Sequence, residues 1–394
     1  MMKQKIQELA AKIYNDVVGY RQHIHANPEL SFKEFQTSMF IKEKLNKWGI
    51  EYSDMANTGV VGLIKGNIPS DNIIALRADM DALPIHEAND KPYRSKNQGV
   101  MHACGHDVHT SSLLGTAYIL NQLKDEFAGT IKLIFQPAEE LLPGGASIMI
   151  KEGVLENPKP QSIVGQHVMP LIDSGKVGFR SGIYMASTDE LYVTVHGKGG
   201  HGAQPHQNID PVLITAHIIV ALQQIVSRNA DPRLPSVLSF GKVNANGATN
   251  IIPNEVKLEG TFRTLNEEWR NEAHRLMKKM AEGIAESMGG SCTFDIHRGY
   301  PFLINEEKVT ANARACAEEY LGVENVIDLD IWMAAEDFAY YSQVTDACFY
   351  RLGTGNVEKG TTYSVHTPNF DIDEDALKTS TGLMAYIALK QLGN

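Results

Sequence analysis

The chain has 394 residues, 43 % hydrophobic and 21 % charged, a usage that can bury a sizeable core and excludes wholesale disorder, at a length that predicts two or three domains. Its 36 basic and 47 acidic side chains leave a formal charge of −11, and the basic residues are scattered rather than gathered into a stripe, which argues against a nucleic-acid partner. The expectation is a cytoplasmic protein that neither spans nor binds a membrane: no run approaches the ~20 apolar residues of a span, residues 1–20 carry no signal-peptide pattern, and four cysteines without a C-x-x-C pair suit a reducing compartment.

Taken in order, Ile6, Leu9, Ala10, Ile13 and Val17 recur at helical spacing and predict an amphipathic helix over 2–24. Ser31, with Glu34 three residues later, reads as a capping box for a second helix that presents Phe35, Ile41, Leu45 and Trp48 and stops at Gly49. Short β-branched runs at 60–64 and 73–77 predict strands. A helix (108–123), a strand (131–135), a short helix (146–151) and a strand (163–166) then alternate, as in a largely parallel sheet covered on both faces.

After about residue 185 the pattern changes. Strand 191–196, helix 211–227 with Asp210 as N-cap and Pro211 at its first position, strands 236–243 and 255–262, helix 267–287 and strand 292–297 spell βαββαβ, a ferredoxin-like unit able to fold by itself. Helix 309–320, strand 347–352 and helix 374–392 resume the alternation. The expected fold is a discontinuous, mostly parallel α/β/α domain (1–185 and 298–394) interrupted by an inserted βαββαβ domain (186–297).

Three histidines fall between Met101 and His109, around Cys104. Thiolate, imidazole and carboxylate are the side chains that bind divalent transition metals, and Cys104 and His106, two apart on an extended loop, can point at one centre. His102, Asp107 and His109 are then candidates for orienting those ligands, although a helix N-terminus capped by Asp107 would use the same residues. Asp79 and Asp81, Glu139 and Glu140, and His167 each follow or end a predicted strand, and ligands in open α/β sheets bind beyond the carboxyl ends of the strands. Two adjacent glutamates at one site need cations or a shared proton to offset their repulsion, as a metal ligand beside a general base would.

These motifs resemble those of the di-metal aminoacylase and carboxypeptidase hydrolases, in the amidohydrolase branch of hippurate hydrolases, N-acetyldiaminopimelate deacetylases and indoleacetyl-amino-acid hydrolases. The resemblance spans nearly the whole chain and rests on residues 21–31, 77–84, 101–109, 136–140, His167, 197–202, 249–253, 260–263 and 364–368. It implies that Cys104, His106, Glu140, His167 and His366 hold two divalent ions, Zn²⁺ or Mn²⁺ foremost, with Co²⁺ or Ni²⁺ as alternatives. It also implies that Glu139 is the general base and that Asp81 orients or buffers the site. Asp79 stands where many relatives outside this branch carry a metal-binding histidine, which leaves the bridging ligand open, Asp107 included.

By the same resemblance the inserted domain is a lid that makes a homodimer or higher homo-oligomer, His201 stabilises the oxyanion, and Asn250 and Arg263 hold a substrate carboxylate. The implied reaction is hydrolysis of an N-acyl amino acid. The nearest alternative is a metal-dependent exopeptidase or dipeptidase. From the residues alone, a cysteine hydrolase with Cys104 as nucleophile and His106 as base, or a binding protein on a hydrolase scaffold, would be rivals.

Overall fold

Helix α1 (Met2–Ala26) buries Ile6, Ala10, Ile13, Val17 and Ile24, the stripe its spacing predicts. The computed structural model describes residues 1–393, which divide into two units, Met1–Tyr184 with Ile304–Ile331 and Asp337–Asn394, and Met185–Leu303 with Trp332–Glu336. In the larger unit α1 is followed by α2 (Phe35–Lys47), β1 (Glu51–Met55), β2 (Gly59–Lys65), β3 (Ile68–Asp79), α3 (His106–Gln122), β4 (Ala128–Gln136), α4 (Gly145–Lys151), β5 (Ser162–Asp173) and β6 (Val177–Phe179). Strands 326–328 and 346–355 and the helices Glu307–Leu321 and Ala376–Gln391 complete it.

The eight strands form one sheet in the order β1, β2, β4, β3, β5, 346–355, β6, 326–328. Its centre, from β4 through β3 and β5 to 346–355, is parallel throughout. These strands read as nearly unbroken apolar runs because helices cover both faces. Ile74, Leu76, Leu133, Phe135, Val164 and Tyr350 are all buried, each contributing roughly 1.5–3 kcal/mol on leaving water. Parallel pairing places Asp79 beside Gln136 at the ends of β3 and β4, so the segments that follow the strands emerge at one edge.

One expectation is corrected in this unit. Ser31 and Glu34 do not form a capping box: Glu34 is the N-cap of α2, but its side chain makes no cap hydrogen bond. The Ser31 hydroxyl donates to Asp81 Oδ2 at 2.6 Å, and Glu34 reaches Thr58 and the amide of Ala138. The i, i+3 spacing of Ser and Glu suits a cap, but both side chains are taken by buried donors and acceptors distant in sequence.

The smaller unit carries a four-stranded antiparallel sheet ordered 236–244, 255–264, 189–196, 291–298. Helices α5 (Pro211–Gln224) and α6 (Glu267–Ser287) bury Ile214, Ile218, Leu222, Met277 and Ala281 against Leu191, Val193, Val195 and Phe262. This is the βαββαβ order expected. Asp210 caps α5 by accepting from the Val212 and Leu213 amides. With the π turn that extends it to Asn229, α5 is by length and composition apolar enough to cross a membrane, but one third of that window is buried inside the protein and its inner face belongs to this core.

Candidate active site

The Met101–His109 segment is not simply an extended loop. Gly105 turns it with φ +84°, where a Cβ would lie 2.5 Å from Val168 Cγ2, a conformation and a closeness that glycine permits. His106 thereby becomes the first residue of α3, and Cys104 is left on the loop before it. His366, itself at φ +62°, is tied to this loop by its amide, which donates to the Ala103 carbonyl at 2.7 Å.

The five residues expected as ligands come together. Cys104 Sγ lies 3.4 Å from His167 Nε2 and 3.3 Å from His366 Nε2. His366 Nε2 is 3.1 Å from Glu140 Oε1, and His106 Nε2 is 4.0 Å from carboxylate oxygens of both Glu139 and Glu140. Two of the three imidazoles, those of His106 and His167, are oriented through their other nitrogen. His106 Nδ1 donates to Asp81 Oδ1 at 3.1 Å and His167 Nδ1 to the Val168 carbonyl at 2.8 Å, which turns both Nε2 lone pairs toward Cys104 and the glutamates.

His106 Nε2 is buried with no hydrogen-bond partner among the described residues. A buried ring nitrogen without a donor, facing thiol and carboxylate, fits a divalent cation. The electrostatics agree. Burial works against a charged imidazole, yet Asp79 and Asp81 hold His106 up at about 10. Burial, with Glu140 and Glu139 beside it, pushes the Cys104 thiol well above its usual range. A free cysteine nucleophile needs the opposite shift.

Asp81 accepts four bonds: from His106, Ser31, and the amides of Glu139 and Glu140, both at 3.0 Å. Those bonds with Ser31 and His106 overcome burial and keep its carboxyl below the usual range. Glu139 is nearly buried and accepts from the Asp337 amide at 3.3 Å. Asp79 binds His109 Nδ1 at 2.5 Å and Arg77 at 2.6 Å. The other nitrogen of His109 accepts from the Val168 amide at 3.0 Å, so this ring has no lone pair left for a metal.

Asp107, one candidate for a bridging ligand, faces elsewhere: its Oδ2 accepts from Arg21 and His25, both at 2.8 Å. It sits on α3 one residue past His106, and successive helical residues do not share a face. Arg21 continues to Asp371 at 2.8 Å, linking the helix that starts with His106 to the segment that follows His366. His102 is buried with neither ring nitrogen bonded among the described residues, and burial lowers it to about 4. It does not orient a ligand.

The roles of three residues, Arg77, Asp337 and Glu34, escaped the sequence reading. Asp337 accepts from Arg77 at 2.7 Å, from Gln136 at 2.8 Å and from the Ala146 amide at 3.0 Å. Arg77 was visible as a charge inside an apolar strand, a signal of a buried ion pair, whereas Asp337 resembled a family motif with no assignable role and Glu34 read as part of a helix cap. In the smaller unit His201 and Asn250 are neighbours: the strand pair 200–201 and 251–252 joins them, and the Gly202 amide donates to the Asn250 carbonyl. Arg263 is half-buried, donates to the Met333 carbonyl at 3.2 Å, and is lowered by burial.

Residues 75–390 match the model of peptidase family M20/M25/M40. The chain is 39 % identical to thermostable carboxypeptidase 2 of Saccharolobus solfataricus, over 97 % of this chain and 99 % of that protein. It is 44 % identical to an N-acyl-L-amino acid amidohydrolase of Geobacillus stearothermophilus, over 78 % and 83 % of the two chains. A Bacillus subtilis crystal structure described as a dinuclear metal binding peptidase superposes with a TM-score of 0.84 at 34 % identity, over 97 % of this chain and 99 % of that one. A model match across most of the chain, with full-length relatives well above 30 % identity, places this protein in the M20/M25/M40 peptidase family.

Proposed function

We propose that this protein is a metal-dependent amidohydrolase that cleaves the amide bond of N-acyl amino acids. The observation that carries this reading is the convergence of Cys104, His106, Glu140, His167 and His366 around Glu139, with His106 Nε2 buried and unbonded. Those five residues would hold two divalent cations, as the dinuclear Bacillus relative's description supports. When bound, the cations supply Lewis-acid polarisation of the carbonyl and acidify water. A thiolate among the ligands favours Zn²⁺, while Mn²⁺, Co²⁺ and Ni²⁺ are compatible with the imidazoles and carboxylate.

Glu139 takes the proton of the attacking water and returns it to the leaving amine nitrogen, a role suited to a carboxylate held by the Asp337 amide and close to the cluster. Arg263 and Asn250 are assigned to the substrate carboxylate. A half-buried guanidinium bonded to a backbone carbonyl keeps donors for a bidentate pair. His201 is assigned to the oxyanion.

The protomer's partner is a second copy, docked through the exposed apolar residues Val212, Leu213 and Val220 of α5. Reducing, cytoplasmic conditions complete the reading, since Cys104 must stay reduced and unbridged to serve as a thiolate ligand.

Metal content per chain, measured with hydrolysis of N-acetyl and N-benzoyl amino acids before chelation, after it and after each metal is restored, tests the proposal. Two metals, with activity lost and regained, are expected; full activity in metal-free protein would overturn it. A second reading, exopeptidase, has the carboxypeptidase name of the Saccharolobus relative in its favour. Preference for dipeptides over N-acetyl amino acids would select it.

A further inference from the structure

The turn that carries Glu139 and Glu140 is held from outside by two carboxylates. Asp81 takes the amides of residues 139 and 140. The amide before them, that of Ala138, donates to Glu34 Oε1 at 2.9 Å. Ala138 sits at φ +52°, a backbone conformation that residues with a Cβ adopt only when their surroundings hold it. Three consecutive amides thus end on acids from two other parts of the chain.

Glu34 is fully buried. Its Oε1 also accepts from the Phe32 amide at 2.9 Å, and its Oε2 from the Thr58 hydroxyl at 2.7 Å. Its side chain makes no cap hydrogen bond and pairs with no cation among the described residues. Burial, then the nearby Asp81, raise its carboxyl to about 7, so local electrostatics disfavour the charged form here. The geometry of its acceptors is what the position supplies.

We infer that Glu34 is a positioning residue for catalysis, which fixes the strained backbone at Ala138 and thereby the direction in which Glu139 presents its carboxylate. This inference rests on the reading of Glu139 as general base. What the role needs is an acceptor at the Oε1 position and the full length of the side chain, not a charge. Glutamine meets both needs, because its oxygen can take the Phe32 and Ala138 amides while the Thr58 hydroxyl turns to accept from its nitrogen. Aspartate keeps the charge but falls one methylene short.

The test compares metal-loaded Glu34→Gln and Glu34→Asp in hydrolysis of N-acetyl-L-methionine, with metal content and melting temperature measured on each. Glu34→Gln is expected to keep kcat within about threefold. Glu34→Asp is expected to lose roughly 10- to 100-fold in kcat, the cost of a misplaced catalytic group, with KM within about twofold and two metals retained. Placed on Glu139→Gln, Glu34→Asp should cost less than about twofold more, since a residue acting through Glu139 has nothing left to position.

Wild-type kcat in Glu34→Asp, a Gln variant as impaired as Asp, or a full additional loss on the Glu139→Gln background would each overturn the inference. Unimpaired turnover in Glu139→Gln alone would instead remove the general-base reading.

Discussion

Asp81→Asn tests how far the site depends on a residue that touches no substrate in our reading. The aspartate serves four donors: the His106 ring and Glu139 amide on Oδ1, and the Ser31 hydroxyl and Glu140 amide on Oδ2. Asparagine has one oxygen. Turned toward His106 and the Glu139 amide, it preserves those two bonds, and the Ser31 hydroxyl can reverse to accept from the new amide nitrogen. The Glu140 N–H cannot reverse, so it meets a donor. The loss is one hydrogen bond to a charged acceptor in a buried setting, about 1.5–3 kcal/mol, and it falls on the backbone of a proposed metal ligand.

Converted at 1.4 kcal/mol per decade, that loss is roughly 10- to 100-fold in affinity for the cation Glu140 holds, in line with changes to residues that orient ligands. The opposite amide orientation would face His106 Nδ1–H with a donor and favour the tautomer whose Nε2 is protonated, which costs a ligand outright. Competition against a chromogenic chelator reads the two affinities separately. One should weaken by this factor while the other changes little. Unchanged affinity at both would refute the account of Asp81 as the residue that orients the ligand set.

Other consequences follow from the smaller unit and its surface. Asp189 is fully buried and accepts two bonds from the Arg270 guanidinium at 2.6 and 2.9 Å and one from His274 at 2.6 Å, so Asp189→Ala, which removes these charge-assisted bonds while Arg270 keeps its pair with Glu267, should destabilise by about 1.5–3 kcal/mol in urea titration. Burial raises its pKa, but the bonds from His274 and Arg270 hold it below the usual range. Its contribution is therefore present above about pH 3.9 and is lost as pH falls through the lower folded value, and the acid limb of the wild-type stability curve should flatten in the variant. Arg263→Ala should raise KM on an N-acetyl amino acid well beyond Arg263→Lys, with the gap closing on the amidated substrate; an equal gap on both would exclude a carboxylate clamp. Val220→Glu, at a side chain 74 % exposed, should shift the sedimentation coefficient toward a monomer without lowering the melting temperature of the chain, and an unchanged assembly would place the partner contact elsewhere.

Much of this was legible in the sequence because it depends on short-range pattern. Helical spacing in residues 2–24 and 267–287, β-branched runs at the strands, and the switch to βαββαβ after residue 185 reflect periodicity and local propensity, which the chain carries wherever it is placed. The clustering of Cys104 with His106 and the Glu139–Glu140 pair were local as well, and the five expected ligands do converge.

What tertiary structure decided is which way polar side chains turn once several buried partners compete for them. Ser31 and Glu34 have the spacing of a helix cap, yet the buried amide of Ala138, the Thr58 hydroxyl and the Asp81 carboxylate draw them toward the site. Asp107 adjoins a proposed ligand in sequence, but the helix turns it toward Arg21 and His25, and Asp337 reaches Arg77 from 260 residues away. A carboxylate buried from water must take its hydrogen bonds from whatever donors the fold brings near. Those donors come from distant segments, and only the packed chain brings them together.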